Sequence, residues 1–198
     1  MSSVTKMSFF EVRASLLLAS VYGLRMLGMF LILPIFAIYA SGLSGSPSQL
    51  QIGIALGVYG LTQAVFQIPF GMSSDFFGRK KVIYFGLVIF VLGSIIAGAS
   101  TQIEGIIIGR AIQGVGAISA VLTALLSDLT RDEHRTKAMA VVGASIGLTF
   151  ALSLVISPWL NDKIGVSGIF FMMGALSILA AIVIHFFIHE PKRINKKA

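Results

Sequence analysis

Residues 71–81, G-M-S-S-D-F-F-G-R-K-K, separate two long apolar segments with a cluster of glycine, serine and charge. An acid, Asp75, precedes a base, Arg79, by one helical turn, and Gly78 lies between them. Glycine suits a tight reversal of the backbone, and charged side chains avoid the interior of a bilayer. The stretch therefore predicts a turn at a membrane surface, where one helix leaves the bilayer and the next re-enters it.

The segments on either side of this turn are typical of transmembrane helices. Of the 198 residues, 56% are hydrophobic and only 12% are charged. Apolar runs of at least about 18 residues, enough to cross about 30 Å of hydrocarbon as a helix, recur along the chain. We therefore predict an all-α integral membrane protein, a single domain over residues 1–198 with six transmembrane helices. The predicted spans are residues 15–39, 49–72, 82–99, 103–126, 138–160 and 166–188.

The distribution of lysine and arginine predicts the orientation, because short cytoplasmic loops of membrane proteins are enriched in both. One side of the predicted bundle carries twelve basic residues, and the other side carries only Lys163. The twelve are Lys6, Arg13, Arg79, Lys80, Lys81, Arg131, Arg135, Lys137, Lys192, Arg193, Lys196 and Lys197. Both termini are therefore predicted to be cytoplasmic, and the net charge of +7 reflects topology rather than nucleic-acid binding.

The sequence offers no cofactor motif, and the lack of cysteine excludes disulfides, thiol catalysis and cysteine metal sites. We expect neither a cofactor nor a metal site.

A sparse internal repeat is also present. The pattern Gly71-x-x-x-Asp75-x-x-Gly78 returns 87 residues later at residues 158–165, as P-x-x-x-D-x-x-G. Arg25 and Arg110, both inside predicted spans, are 85 residues apart. Three helices repeated with inverted topology would produce this spacing.

Arg25 and Arg110 need partners, because a charge inside a span is costly. No predicted span has a carboxylate near its middle, since Glu104, Asp75 and Asp128 fall at span ends. Three explanations are open: backbone carbonyls together with glutamines, an anionic substrate, or carboxylates on another chain. The candidate glutamines are Gln63, Gln67 and Gln113.

Glycine pairs in three spans predict close helix packing, because a missing side chain lets two backbones approach. The G-x-x-x-G pairs are Gly53/Gly57, Gly105/Gly109 and Gly143/Gly147. The last pair also fits G-x-S-x-G around Ser145, with His185 at a similar predicted depth. An intramembrane serine hydrolase is thus a remote alternative, disfavoured because the serine lies within a helical run rather than on a sharp turn.

Residues 71–81 resemble the cytoplasmic loop signature of the major facilitator superfamily, G-x-x-x-D-[RK]-x-G-R-[RK]. Residues 109–117, G-R-A-I-Q-G-V-G-A, resemble the fourth-helix motif of that family, and Leu27-Gly28 followed by Pro34 resembles the first-helix motif of its drug/proton antiporters. The sequences of residues 59–71 and 126–131 are similar to those of one bacterial subgroup of putative drug/proton antiporters. The resemblance covers nearly the whole chain.

This resemblance implies the N-terminal six-helix half of a secondary transporter of the bacterial inner membrane. It implies small-molecule, drug-like efflux by alternating access, proton-coupled by analogy with the family. A cytoplasmic gate would contain Gly71, Asp75, Gly78, Arg79, Lys80 and Asp128, and a central cavity would be lined by Arg25, Arg110, Gln113 and Gly114. The expected partners are the lipid bilayer, a small-molecule substrate, protons, and a second six-helix half supplied by a separate chain or by self-association.

Two residues depart from the family pattern. Phe76 occupies the position of a basic residue in the loop signature, and Ser157-Pro158 is followed by Trp159 rather than by the glycines of the fifth-helix antiporter motif. Members of the family have twelve spans, and six are predicted here. The alternative function is therefore a truncated, non-transporting six-helix membrane protein or an assembly subunit.

Overall fold

The structure, a computed structural model, describes residues 6–43, 45–116 and 118–188. All regular elements in these ranges are helices, as predicted. They are α1 (Phe9–Ile32), α2 (Phe36–Ser41), α3 (Gln49–Phe77), α4 (Arg79–Ala99), α5 (Ile103–Val115), α6 (Ser119–Asp128), a 3-10 turn (Asp132–His134) and α7 (Arg135–Phe187). Five stretches are long and apolar enough to cross a membrane: Phe9–Ile32, Gln49–Phe77, Arg79–Ala99, Ile103–Asp128 and Asp132–Phe187.

Two helices begin at capping boxes. Ser8 accepts the backbone N–H of Glu11 at 3.2 Å, and the Glu11 carboxylate accepts the backbone N–H of Ser8 at 2.8 Å. Ser48 and Gln51 make the same reciprocal pair at the start of α3. Such pairs satisfy N–H groups that the first helical turn leaves free. As a result α1 begins at Phe9, six residues before the predicted start of the first span.

The longest helix, α7, reverses direction within its length. At about 1.5 Å per residue, its 53 residues would extend about 80 Å, far beyond one bilayer crossing. Gly165 interrupts it with φ 66° and ψ 174°, a conformation open to glycine. Segment 135–164 runs parallel to α1, and segment 166–187 runs back along it. The contacts that establish this are Thr149 with Gly23, Ser157 with Leu31, Met173 with Gly28, and Ile188 beside Phe10.

Two predicted spans are broken. The first is divided between α1 and α2 at residues 33–35, where Pro34 has no N–H to continue the helix. The carbonyl of Leu31, freed at this break, accepts the hydroxyl of Ser157. The fourth is divided into α5, which ends at Val115, and α6, which begins at Ser119. A broken helix is tolerated in a bilayer only where neighbouring groups satisfy the freed backbone.

One end of the bundle, here called the basic end, gathers the start of α1, the α3–α4 turn, the α6–α7 loop and the end of α7. Three contacts place them together: Glu11 with Arg131, Arg79 with Asp128, and Lys80 with the carbonyl of Ile188. Four of the twelve basic residues predicted for this side lie outside the described residues: Lys192, Arg193, Lys196 and Lys197. Buried apolar side chains form two clusters, one towards the basic end and one towards the opposite end.

Candidate functional site

At the basic end, Arg79 bridges two carboxylates. It is the first residue of α4, directly after Gly78, whose φ of 101° allows the chain to turn sharply out of α3. Its Nη1 lies 2.7 Å from Asp75 Oδ1, and its Nε lies 3.0 Å from Asp128 Oδ2. Its Nη1 also donates to Ser74 Oγ at 2.5 Å. The guanidinium group thus ties the end of α3 and the end of α6 to the start of α4.

The two acids of this cluster differ in accessibility from the base. The Arg79 side chain is 13% exposed, whereas those of Asp75 and Asp128 are 60% and 41% exposed. Arg79 is therefore held inside the loop, whereas the Asp75 carboxylate lies largely at the surface. Gly71, one turn before Asp75, lies against α6, where an added Cβ would come within 3.6 Å of Ala120.

Lys80, also predicted for the gate, has its polar partners in a different helix. Its Nζ donates to the carbonyl oxygens of Ile188 at 2.9 Å and His185 at 3.4 Å. These carbonyls belong to the last turn of α7, which carries the negative end of the helix dipole. Lys80 therefore caps α7 and fixes it to the α3–α4 turn.

A second ion pair, which sequence reasoning missed, joins α1 to the α6–α7 loop. The Glu11 side chain is 4% exposed, and its carboxylate accepts Arg131 Nε at 2.9 Å, Arg131 Nη2 at 3.0 Å and the Arg131 backbone N–H at 3.0 Å. Hydrogen bonding to this carboxylate raises the pKa of Arg131 above its ordinary value. The S-x-x-E pattern at Ser8–Glu11, which is typical of a capping box, was the feature of the sequence that could have drawn attention to Glu11.

Deep in the bundle, Arg110 is held by backbone oxygens of α3. The residue is 1% exposed, and its Nε and Nη2 donate to the carbonyls of Ala55 at 2.9 Å and Leu56 at 3.3 Å. Within the described part of the chain, Nη1 has no hydrogen-bond partner.

Arg25 is held in a comparable way by the break between α5 and α6. It is 2% exposed, and it donates to the Gly116 carbonyl at 2.9 Å and to Ser119 Oγ at 3.0 Å. Tyr22, one turn earlier, donates to the Ser119 carbonyl at the start of α6, so α1 contacts the chain on both sides of the break. Of the partners predicted for the two arginines, backbone carbonyls are confirmed, whereas their hydrogen bonds within the described part of the chain include no glutamine.

An aromatic pair connects the two arginines. The guanidinium carbon of Arg110 lies 5.2 Å from the ring centroid of Tyr59, and that of Arg25 lies 5.6 Å from the ring centroid of Phe90. The two rings meet edge to face, with centroids 6.4 Å apart. Each contact is within the range of a cation–π interaction. The order Arg110–Tyr59–Phe90–Arg25 therefore forms a continuous layer through α5, α3, α4 and α1.

Gln113 and Gly114 lie beside this layer. Gln113 Nε2 donates to Ser94 Oγ at 2.8 Å. A glycine at position 114 allows α5 to pack closely against α3, since a Cβ there would come within 2.3 Å of the Tyr59 carbonyl on α3. In the described residues, Gln113 Oε1, the Tyr59 hydroxyl and Arg110 Nη1 are buried polar atoms without a hydrogen-bond partner. Hydrogen-bonding groups at the bundle centre are thus left without partners among the described residues, and all three are buried.

Two of the three glycine pairs do not pack within this chain. A Cβ added at Gly53, Gly57, Gly143 or Gly147 would meet no atom within 4 Å. The packing prediction is confirmed only for the pair Gly105/Gly109. A Cβ at Gly109 would lie 2.6 Å from the backbone of Ala97 in α4. The faces of α3 and of segment 135–164 that carry the other two pairs are open.

The structure does not bring Ser145 and His185 together as a catalytic pair. Ser145 lies within α7 and donates to the carbonyl of Val142 at 2.7 Å, and a ring nitrogen of His185 lies 3.4 Å from the Tyr84 hydroxyl. Among the described residues there is no group of three or more His, Cys, Asp or Glu that would hold a metal ion.

Broken helices and buried charges inside membrane spans are features of membrane transporters. Residues 18–198 match the Major Facilitator Superfamily, and the chain belongs to this family. It is 54% identical over 172 residues to the inner membrane transport protein YajR of Escherichia coli (strain K12), which confirms the similarity to a bacterial group of transporters that residues 59–71 and 126–131 indicated.

Other members are more distant. Multidrug resistance protein 2 of Bacillus subtilis (strain 168) is 31% identical over 189 residues, which are 92% of this chain and 45% of that protein. The alignment with YajR covers 87% of this chain and 38% of YajR, so the chain spans less than half the length of both relatives. In fold, it resembles the crystal structure of a bacterial homologue of the human lysosomal transporter Spinster, in an inward-facing and unoccupied conformation. That match has a TM-score of 0.78 at 18% identity, over 94% of this chain and 44% of the other.

Proposed function

We propose that this chain is the N-terminal six-helix half of a secondary transporter that exports small, drug-like molecules across the bacterial inner membrane by alternating access. The observation that carries the proposal is the Arg79 bridge between Asp75 and Asp128, in a chain of this family. The name of the Bacillus subtilis relative, multidrug resistance protein 2, supports a drug-like substrate, and that of YajR supports the inner membrane.

Six crossings, arranged as two inverted three-helix repeats, account for the geometry. The chain turns at Gly78 and again at Gly165, and both glycines have positive φ. The first helix of each proposed repeat is broken, between α1 and α2 and between α5 and α6. With the basic end facing the cytoplasm, both termini are cytoplasmic, in accord with the positive-inside rule.

A second six-helix half completes the transporter, supplied by a separate chain or by a second copy. The open glycine faces of α3 and segment 135–164 support this proposal, because small residues in membrane helices mark sites of close helix contact. Burial also supports it: only 17% of the apolar stretch of α3 is buried, against 56% in α1 and 50% in α4. The length of the relatives is consistent with a second half.

The basic-end cluster acts in this proposal as a gate. The exposed face of the Asp75 carboxylate binds the N-terminus of a helix in the other half, where the helix dipole favours a negative charge. Arg79 holds Asp75 in position through the 2.7 Å contact. Breaking the contact between the halves opens the cytoplasmic side, and forming it closes that side.

Substrate binding and coupling are assigned to the bundle centre. Arg110, with Gln113, Gly114 and Arg25, borders the cavity that forms between the halves, and Arg110 Nη1, which is buried without a partner among the described residues, donates to substrate when that cavity opens. The acids of the described residues lie at helix ends and in loops. Proton coupling therefore requires an acid of the second half or a protonation linked to Arg110.

The test is ethidium efflux from bacterial cells that lack their own efflux pumps, with a second half co-expressed. Asp75→Asn is expected to slow efflux about fivefold, the effect of about 1 kcal/mol for a charge at a helix N-terminus, without lowering the amount of protein in the membrane. Asp162→Asn is the matched control, since Asp162 is exposed at the repeat-related position of the opposite end. Equal efflux by the two variants would refute the gate.

The same assay separates the alternative function. If no second half, including a second copy of the chain, restores efflux although the protein is present in the membrane, the chain is a non-transporting six-helix protein or an assembly subunit.

A further inference from the structure

A groove beside the charged turn has no role in the gate. It lies between the end of α3 and the start of α4, has a volume of about 380 Å³, and is lined by Phe70, Ser73, Phe77, Lys81, Val82 and Phe85. Its size is within the range of about 300–1,000 Å³ that ligand sites commonly have. Four of the six lining residues are apolar and one is a serine. The sixth, Lys81, is the one charged residue of the lining.

The three consecutive basic residues of the turn differ in their partners. Arg79 is paired with two carboxylates, and Lys80 caps the end of α7. Lys81 is exposed and has no hydrogen bond or ion pair among the described residues. Its ammonium group therefore stands uncompensated at the mouth of an apolar groove.

The groove faces away from the surface assigned to the second half. At about 100° per residue, Phe70, Ser73 and Phe77 lie roughly 150° around α3 from Gly53 and Gly57. On the α4 side, the groove continues into an exposed apolar stripe that is typical of a helix surface in contact with lipid. The stripe consists of Phe85, Val88, Leu92 and Ile95, which are 47–61% exposed.

We propose that this groove binds an anionic phospholipid, with an acyl chain against Phe70, Phe77 and Phe85 and the phosphate on Lys81. The charge of Lys81 complements the phosphate, and the groove adjoins the α3–α4 turn at the basic end, which the positive-inside rule assigns to the anionic cytoplasmic leaflet. A second groove, between α4 and segment 166–187, has a similar volume of about 320 Å³ but no charged lining residue, and it serves as an internal comparison.

The test measures binding of dioleoyl phosphatidylglycerol and dioleoyl phosphatidylcholine to the purified chain by native mass spectrometry. The wild-type chain is expected to prefer phosphatidylglycerol about fivefold, the effect of one basic residue near an anionic lipid. Lys81→Gln should abolish this preference. Lys137→Gln, the same charge change at an exposed position of the same end, should retain it.

A second variant separates the groove from the charge. Ser73→Leu fills the groove and leaves Lys81 in place, so it should weaken binding of both lipids. The proposal is overturned if Lys81→Gln and Lys137→Gln have the same effect, or if Ser73→Leu binds lipid as the wild type does. In membranes, a phosphatidylglycerol with a photoreactive diazirine in its acyl chain should label peptides within residues 70–85. Labelling only elsewhere would mean that protein covers the groove, which also overturns the proposal.

Discussion

The Glu11–Arg131 pair allows a sharp prediction, because a buried carboxylate depends here on a half-exposed base. Arg131→Ala removes the bonds at 2.9 Å and 3.0 Å from the guanidinium group, while the backbone N–H groups of Arg131 and Ser8 continue to donate. A hydrogen bond to a charged group contributes about 1.5–3 kcal/mol when buried. Because the Arg131 side chain is 52% exposed, water competes for both bonds. We expect a total loss of about 2 kcal/mol.

Thermal unfolding in detergent micelles is the assay, with Arg135→Ala as the matched control. Arg135 pairs with Asp132 at 2.9 Å in the same loop, but Asp132 is 84% exposed, so this pair should contribute less than about 1 kcal/mol. At about 2–4 °C per kcal/mol, the Arg131→Ala midpoint should fall by about 4–8 °C and the control by less than half of that. Equal midpoints for the two variants would show that burial of Glu11 does not make its pair stronger than a surface one.

Two further predictions concern the bundle interior. Arg25→Leu should lower the free energy of unfolding by about 3 kcal/mol, because the Gly116 carbonyl is left buried without its donor, and the thermal midpoint of this variant in detergent micelles should fall accordingly. Gly114→Ala should destabilise the chain by about 2 kcal/mol or more, because its Cβ would lie 2.3 Å from the Tyr59 carbonyl. Gly143→Ala, where a Cβ meets no atom within 4 Å, should leave the thermal midpoint of the isolated chain unchanged, and a similar fall for both alanine variants would contradict the close approach of α3 and α5.

The helical fold and the charged turn were predictable because both depend on local sequence. Long apolar runs specify membrane helices, since the backbone must satisfy its own hydrogen bonds in lipid. Gly78, with Asp75 one turn before Arg79, specifies a turn and an ion pair that neighbouring residues can form. Asp128, 49 residues from Arg79, joined the cluster only through the family resemblance.

The helix breaks illustrate the limit of local reasoning. Pro34 signals a break in the first span, but a hydropathy pattern passes through residues 116–118 without interruption. The second break forms where α4 approaches closely, since a Cβ at Gly116 would lie 2.4 Å from the Gly86 carbonyl. Whether a backbone carbonyl there finds a donor depends on Arg25 of another helix.

The sequence by itself determined the class of protein, the basic end and the family, because hydropathy, charge distribution and motif spacing can be read along the chain. Tertiary structure decided the partners: Glu11 for Arg131, carbonyls rather than glutamines for the two buried arginines, and the aromatic pair between those arginines. It also left the two glycine faces of α3 and segment 135–164 open. The physical reason is that a partner is set by which helix faces meet in space, and residues 31 to 120 positions apart carry no local signal of that meeting.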